Sequence, residues 1–249
     1  MPSSTRTLFF FFFCFVYELC VSSTVPIAVS TLPYTDIHAP QVPAPVPSRD
    51  LAGPEGPASL FAEVERLGLP VDYLINNAGL GGQGSLAERS LEDDANLLAV
   101  DVAALTALTK LFLPSFIARG SGRILNVSSI ASLVPGPWQA TYFAAKAYVT
   151  SLTLALSEEL RGTGVTATVV LPGGMRTGFE AAAKLEGTGL AAQLTQSPDD
   201  VARRSYEAML RGRRKLIAGT PLLQRLLLRL LPFVPTAFVL RVVARLHKR

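Results

Sequence analysis

Histidine is scarce in this 249-residue chain, with only His38 and His247 present. One lies in a proline-rich stretch and the other close to the end, so a Ser-His-Asp hydrolase is excluded and acid-base chemistry falls to another residue type. Cysteine is equally scarce. Cys14 and Cys20 sit near the N-terminus with neither a CxxC repeat nor histidine-spaced partners, which excludes a disulfide framework and a zinc site. No glycine occurs before Gly53. Long hydrophobic runs are also missing where they would matter most. The N-terminal run "LFFFFFCFVY" has ten residues, short of the roughly 20 that span a bilayer. The apolar C-terminal tail is interrupted by arginines.

What is present is ample apolar material. A hydrophobic fraction of 49% is enough for the core of one α/β domain. Charge is unevenly placed: residues 201–249 hold twelve Lys or Arg against the single acid Glu207, although the whole chain is only +4. A basic tail on an acidic body meets an anionic surface, either membrane or nucleic acid. The pattern along the chain divides it into four parts. Residues 1–23 have a positive start at Arg6, the apolar run and then small residues, the pattern of a signal peptide or anchor; a mispredicted gene start is the alternative. Residues 24–49 contain six prolines and one strand-like run, "VPIAVS", and read as a linker. Residues 50–219 alternate helical and strand patterns, with strands apolar on both faces, which predicts a parallel sheet covered on both sides. Helices are expected over "GPASLFAEVERLG", residues 90–117, "QATYFAAKAYVTSLTLALSEELRG" and "SPDDVARRSYEAMLRG", the last with a capping serine. Strands are expected at "VDYLINNAG", "GRILNVSS", "VTATVVLPGG" and "KLIAG", with a helical flap to about residue 196. Residues 220–249 form a basic amphipathic helical tail in which Arg225, Arg229, Arg241 and Arg245 stripe an apolar surface. That fits a peripheral membrane contact or a packing element. Aliphatic rather than aromatic residues alternate with the basic ones, so nucleic acid is not an expected partner. Asn126-Val-Ser128 matches a glycosylation acceptor but falls on a buried strand.

The chemistry centres on "ATYFAAKAY". Tyr142 and Lys146 are four residues apart, so on a helix they share a face with Cβ atoms about 5–6 Å apart. A tyrosine hydroxyl near pKa 10 exchanges protons poorly at neutral pH, and an adjacent cation favours its phenolate. Such a tuned tyrosine can give a proton to a carbonyl oxygen or take one from an alcohol. Ser129 follows the "GRILNV" strand, whose C-terminal end faces the ligand crevice of an open α/β sheet. Asn76, Asn77, Ala78 and Gly79 end the preceding strand, and Pro172 with Gly173 the following one. Three strand ends thus converge on one crevice.

"NNAG", "NVSS", "TYFAAK" and "LPGGMRT", in this order and spacing over about residues 50–219, make the chain resemble the short-chain dehydrogenase/reductase family. The resemblance implies a Rossmann-like doubly wound α/β fold and an NADP(H)- or NAD(H)-dependent oxidoreductase acting on a small carbonyl or secondary alcohol, working as a homo-oligomer. By the same resemblance Ser129 orients the carbonyl, Tyr142 is the acid/base, and Lys146 lowers its pKa and binds the nicotinamide ribose. Asn77, Gly79, Pro172 and Gly173 flank the cofactor, Thr177 approaches the carboxamide and Asp50 the adenine. Hydride transfer belongs to the nicotinamide. Two departures stand out. Asp101 occupies the place of the family's catalytic asparagine. The opening strand and glycine-rich turn that bind the cofactor pyrophosphate are missing, which leaves the sheet incomplete on its N-terminal side with an exposed edge. The alternative to an active enzyme is therefore a non-catalytic truncated homologue or a membrane-tethered scaffold. The expected location is membrane-associated, at the endoplasmic reticulum if residues 1–23 are genuine, and cytoplasmic otherwise.

Overall fold

The computed structural model describes the backbone of residues 8–10, 24–30 and 46–50, and residues 49–68, 70–175, 183, 197–220, 226, 228 and 230–247 throughout. Four strands, β4 (Tyr73–Asn76), β5 (Gly122–Val127), β6 (Val165–Pro172) and β7 (Lys215–Ala218), form a parallel sheet in the order β4-β5-β6-β7. Their sequences explain it. "YLIN", "GRILNV" and "VTATVVLP" are rich in β-branched and aliphatic residues on both faces, and Leu74, Ile75, Ile124, Leu125 and Val169 are fully buried. Helices must cover such faces. They do so as α1 (Gly56–Arg66), α2 (Leu91–Leu98) with α3 (Leu105–Arg119), α4 (Ala140–Glu159) and α5 (Pro198–Leu210). Phe112 and Phe116 of α3 lock with Leu60 and Val64 of α1 in one core.

Between α2 and α3 the helix loosens into a π turn at Ala99–Ala104, which carries Asp101. Such single π turns are frequent at functional sites. The continuous helix 91–119 is apolar and long enough to cross a membrane by composition, but one face of it, Leu105, Leu108, Thr109, Phe112 and Phe116, is buried within the protein. Ser90 caps its start by accepting a hydrogen bond from the Asp93 amide at 3.0 Å. Ser197 stands at the N-cap position of α5, yet its side chain makes no capping hydrogen bond.

The N-terminal side differs from the sequence expectation. Residues read as an apolar run and a linker contribute three strands: β1 (Leu8–Phe10), β2 (Thr24–Ser30) and β3 (Val46–Asp50), paired antiparallel in the order β1-β2-β3. "VPIAVS" is indeed a strand, within β2. Moreover, β1 runs alongside β4 without backbone pairing, so the ribbon stands beside the edge expected to be bare. Asp50 ends this ribbon, where its Oδ1 accepts from the Ala52 amide at 2.9 Å. A Cβ at Gly56 would collide with the Asp50 carbonyl, so only glycine lets α1 start this close to the strand end.

After β7 the tail turns at Leu231–Phe233 and ends in α6 (Thr236–His247). Pro232 and Pro235 break what the spacing of arginines suggested as one continuous surface.

Candidate active site

The C-terminal ends of β4, β5 and β6 bring the expected residues to one edge. A ladder of buried amides and hydroxyls holds these ends in register: Asn76 Nδ2 donates to Asn126 Oδ1 at 2.8 Å and to Thr109 Oγ1 at 3.2 Å, and Asn126 Nδ2 donates to Thr153 Oγ1 at 2.9 Å. Thr109 and Thr153 then donate to the Leu105 and Val149 carbonyls of their own helices. One network therefore clamps β4 and β5 to α3 and α4. Asn126 is fully buried and bonded on both sides of its amide, which rules out its use as a glycosylation acceptor. Ser128 fixes α4 from a third direction by donating to the Lys146 carbonyl at 2.8 Å.

On this frame Ser129 caps a short 3₁₀ turn, its Oγ accepting from the Ala131 amide at 3.1 Å. The same side chain hydrogen-bonds the half-buried Tyr142 of α4. Lys146 lies one turn further along α4, and its Nζ is 5.6 Å from the centroid of the Tyr142 ring. The expected face of α4 is thus formed. The Lys146 ammonium makes its closest ion pair with Asp101: Nζ to Oδ2 is 2.9 Å, with the lysine side chain 7% and the aspartate 0% exposed. Lys146 also donates to the Val127 carbonyl at 3.4 Å. Asp101 Oδ1 accepts from the Leu80 amide at 2.6 Å, which binds the loop after β4 to the π turn.

This pairing alters the electrostatics. Burial raises the Asp101 carboxyl, against the lowering effects of Lys146 and the Leu80 amide. Tyr142 is also raised. Burial is the largest cause, Lys146 lowers it, Asp101 raises it, and the Ser129 hydrogen bond lowers it. Lys146 thus acts on Tyr142 in the expected, lowering direction, while burial first and the adjoining Asp101 carboxylate with it raise the phenol overall.

Gly79 sits directly over the ion pair. A Cβ there would lie 3.1 Å from Lys146 Nζ and 3.3 Å from Asp101 Oδ2. Gly173 is equally confined, since its Cβ would come within 2.8 Å of both the Gly219 carbonyl and Thr220 Cγ2. Asn77 precedes Gly79 by two residues, and the buried Pro172 ends β6 beside Gly173. Thr177 lies outside the described residues. Asp50 is on the antiparallel ribbon rather than on a strand of the parallel sheet. Among the described residues no group of three or more His, Cys, Asp or Glu could hold a metal.

Sequence reasoning missed the far side of the site. The C-terminal helix α6 ends against it through His247, which is 2% exposed and touches Gln139 and Phe143 just before and after Tyr142. No periodicity in the tail could announce a contact 108 residues away in sequence.

The model of the short chain dehydrogenases matches residues 39–186, more than half of the chain, and the chain belongs to that family. A ketoacyl reductase, HetN, of Nostoc is 35% identical over 153 residues, covering 61% of this chain and 53% of that protein. The inactive 2-(S)-hydroxypropyl-CoM dehydrogenase 2 of Xanthobacter autotrophicus is 38% identical over 116 residues, covering 47% and 50% respectively. Among solved structures, a short-chain dehydrogenase from Sphingobium yanoikuyae in complex with NADPH superposes with a TM-score of 0.63 at 25% identity, over 76% of this chain and 75% of that one. A short chain dehydrogenase/reductase from Burkholderia phymatum in complex with NAD gives 0.60 at 26% identity, over 68% of each. The chain spans about half the length of the curated relatives it matches.

Proposed function

We propose that the protein is an NAD(P)(H)-dependent oxidoreductase that interconverts a small carbonyl compound and its secondary alcohol. The observation that carries this is the hydrogen bond between Ser129 and Tyr142 beside the buried Lys146. Two hydroxyls on one oxygen-sized site, next to a cation, form a device for holding and protonating a carbonyl oxygen. Solved relatives carry NADPH or NAD, and the nicotinamide end of such a cofactor suits Tyr142 and Lys146 with Gly79 packed against the Lys146–Asp101 pair; by the family resemblance Asn77, Pro172, Gly173 and Thr177 would join them. When bound, that group supplies the hydride. The chain's own residues do the rest.

In the reducing direction Ser129 donates a hydrogen bond to the substrate oxygen and Tyr142 passes its phenolic proton to the same atom. A raised tyrosine pKa suits this, because the phenol stays protonated at neutral pH. Lys146 keeps positive charge next to the resulting phenolate, and Asp101 fixes the lysine while cancelling part of that charge. In the oxidising direction the phenolate must form first, so the same arrangement calls for alkaline conditions.

The pyrophosphate end is less well provided, for no glycine precedes Gly53 and the opening ribbon is antiparallel. This observation favours a second reading, a non-catalytic homologue. A thermal-shift titration of the full chain with NADPH and NADH separates the two. Saturable stabilisation supports the enzyme and tells which cofactor is preferred, since bound ligand adds stability with concentration. A folded protein that shifts with neither is the scaffold. On the enzyme reading, Tyr142→Phe abolishes turnover with the fold retained, and turnover by that variant removes Tyr142 from the mechanism.

The remaining assignments follow from the tail and the family. The protein works as a homodimer. Residues 220–249 make a peripheral contact with an anionic membrane face, consistent with exposed Phe233 and Phe238 followed by exposed Arg241 and Arg245. Its location is then membrane-associated, with residues 1–23 as the address, 24–49 leading into the domain of 50–219, and nucleic acid not a partner.

A further inference from the structure

Tyr142 stands one residue from a side chain that α6 grips. The Phe143 ring fills the place where a Cβ of Gly136 would be, and on another side meets the His247 ring edge-to-face, with centroids 5.6 Å apart at 65°. Tyr142 meets Phe143 in a similar way, at 6.1 Å and 75°. His247 Nε2 lies 3.2 Å from Gln139 Oε1, and Gln139 is the N-cap residue of α4, its carbonyl accepting from the Phe143 amide at 3.0 Å. The His247 carbonyl in turn accepts from Gln83 Nε2 at 2.9 Å, and the Gly84 amide donates to the Trp138 carbonyl at 2.9 Å. Trp138 is the one non-glycine residue with positive φ, +64°, among the described residues. A turn held in that conformation by tryptophan needs outside support. The loop after β4, the turn 136–139 and the start of α4 therefore meet at the last turn of α6.

We infer that His247 is a positioning residue for Tyr142: through Gln139 and Phe143 it fixes the turn from which α4, and with it the acid/base hydroxyl, sets out. This rests on the oxidoreductase reading for its catalytic consequence, but its structural half does not. His247 Nδ1 is 2.9 Å from the Val243 carbonyl, which can only accept, so Nδ1 carries the hydrogen. In the neutral ring Nε2 is then an acceptor, and a half turn of the Gln139 carboxamide presents its NH₂ to it. A side chain at 247 that offers an acceptor at that height can replace the imidazole; a methyl group cannot.

The test is amide hydrogen exchange on the full chain, comparing the wild type with His247→Ala and His247→Gln. His247→Ala is expected to speed exchange across residues 136–143 by about tenfold, the factor for one net hydrogen bond, with β5 and β6 unchanged. His247→Gln restores most of the protection. Unchanged exchange at 136–143 in His247→Ala, or acceleration spread evenly over the whole protein, overturns the assignment. With a carbonyl substrate in hand, His247→Ala lowers kcat and leaves the KM for the nicotinamide cofactor as it was. A faster-exchanging variant with undiminished kcat denies that the turn positions Tyr142. A wild type that never turns over refutes the oxidoreductase reading, while the exchange result still decides whether His247 holds the turn.

Discussion

Asp101 and Lys146 show how one side-chain change redirects a site. An asparagine there would leave the lysine charge to act on Tyr142 alone, whereas the aspartate pairs with it at 2.9 Å and opposes it. The sign of the consequence is clear. Asp101→Asn removes a cause of the raised tyrosine pKa, so the phenolate forms at lower pH and the rising limb of alcohol oxidation moves toward acid. A pH-rate profile of the two proteins checks this, and a limb that stays put or moves to alkali rejects the electrostatic role of Asp101. The ion pair also matters for stability. Lys146→Met strands a buried carboxylate, which in comparable cases costs about 3–5 kcal/mol. Denaturant melts are expected to register that loss, and adding Asp101→Asn to the same variant to recover much of it. If the two losses simply add, the pair is not coupled. Sequence alone disclosed the spacing of Ser129, Tyr142 and Lys146 because period and motif report which residues share a helix face. It did not disclose the direction of the tyrosine shift, since desolvation depends on everything packed around the ring.

Elements in the body of the chain were legible for a simple reason. The apolar runs of β4 to β7 and the 3.6-residue pattern of α1 and α5 each bury their own faces, so local pattern and tertiary packing agree. The π turn at Ala99–Ala104 was not legible, because a helix with one extra residue keeps the composition of an ordinary helix. Nor was the ribbon of β1 to β3. The phenylalanine run suits a signal segment and a strand equally well, and only a partner decides. The docking of α6 belongs here too, with its own pH dependence. Burial lowers His247 below its ordinary 6.5, so the undocked helix takes up the proton more readily. Docking is therefore fully favoured above 6.5 and weakens as pH falls from there toward the lower docked value. Exchange at Thr236–His247, corrected for the intrinsic pH effect, is expected to rise between pH 7.5 and 5.5 (about a hundredfold change in proton activity), and His247→Gln to flatten the response. Equal protection at both values would mean that the ring stays neutral throughout.

For the molecule as a whole, the tail joins the site to an outer surface. His247 points inward while Phe233 and Phe238 remain exposed at 84% and 60%. Replacing both phenylalanines by glutamate is expected to abolish sedimentation with anionic lipid vesicles and to spare the exchange protection at 136–143. Binding that persists assigns these side chains to contacts within the protein or its dimer. The parallel sheet has a further consequence, this time for synthesis. Each of its pairings spans a helical crossover, so Asn76 waits for Asn126, Val127 for Val170, and Pro172 for Ala218. Parallel strands cannot close as local hairpins, and such pairings form slowly. A ribosome adding residues in order therefore holds β6 as an open edge until β7 has left the exit tunnel, and the helix that steadies Tyr142 emerges after β7. Until then the unpaired edge of β6 is open to pairing with another chain.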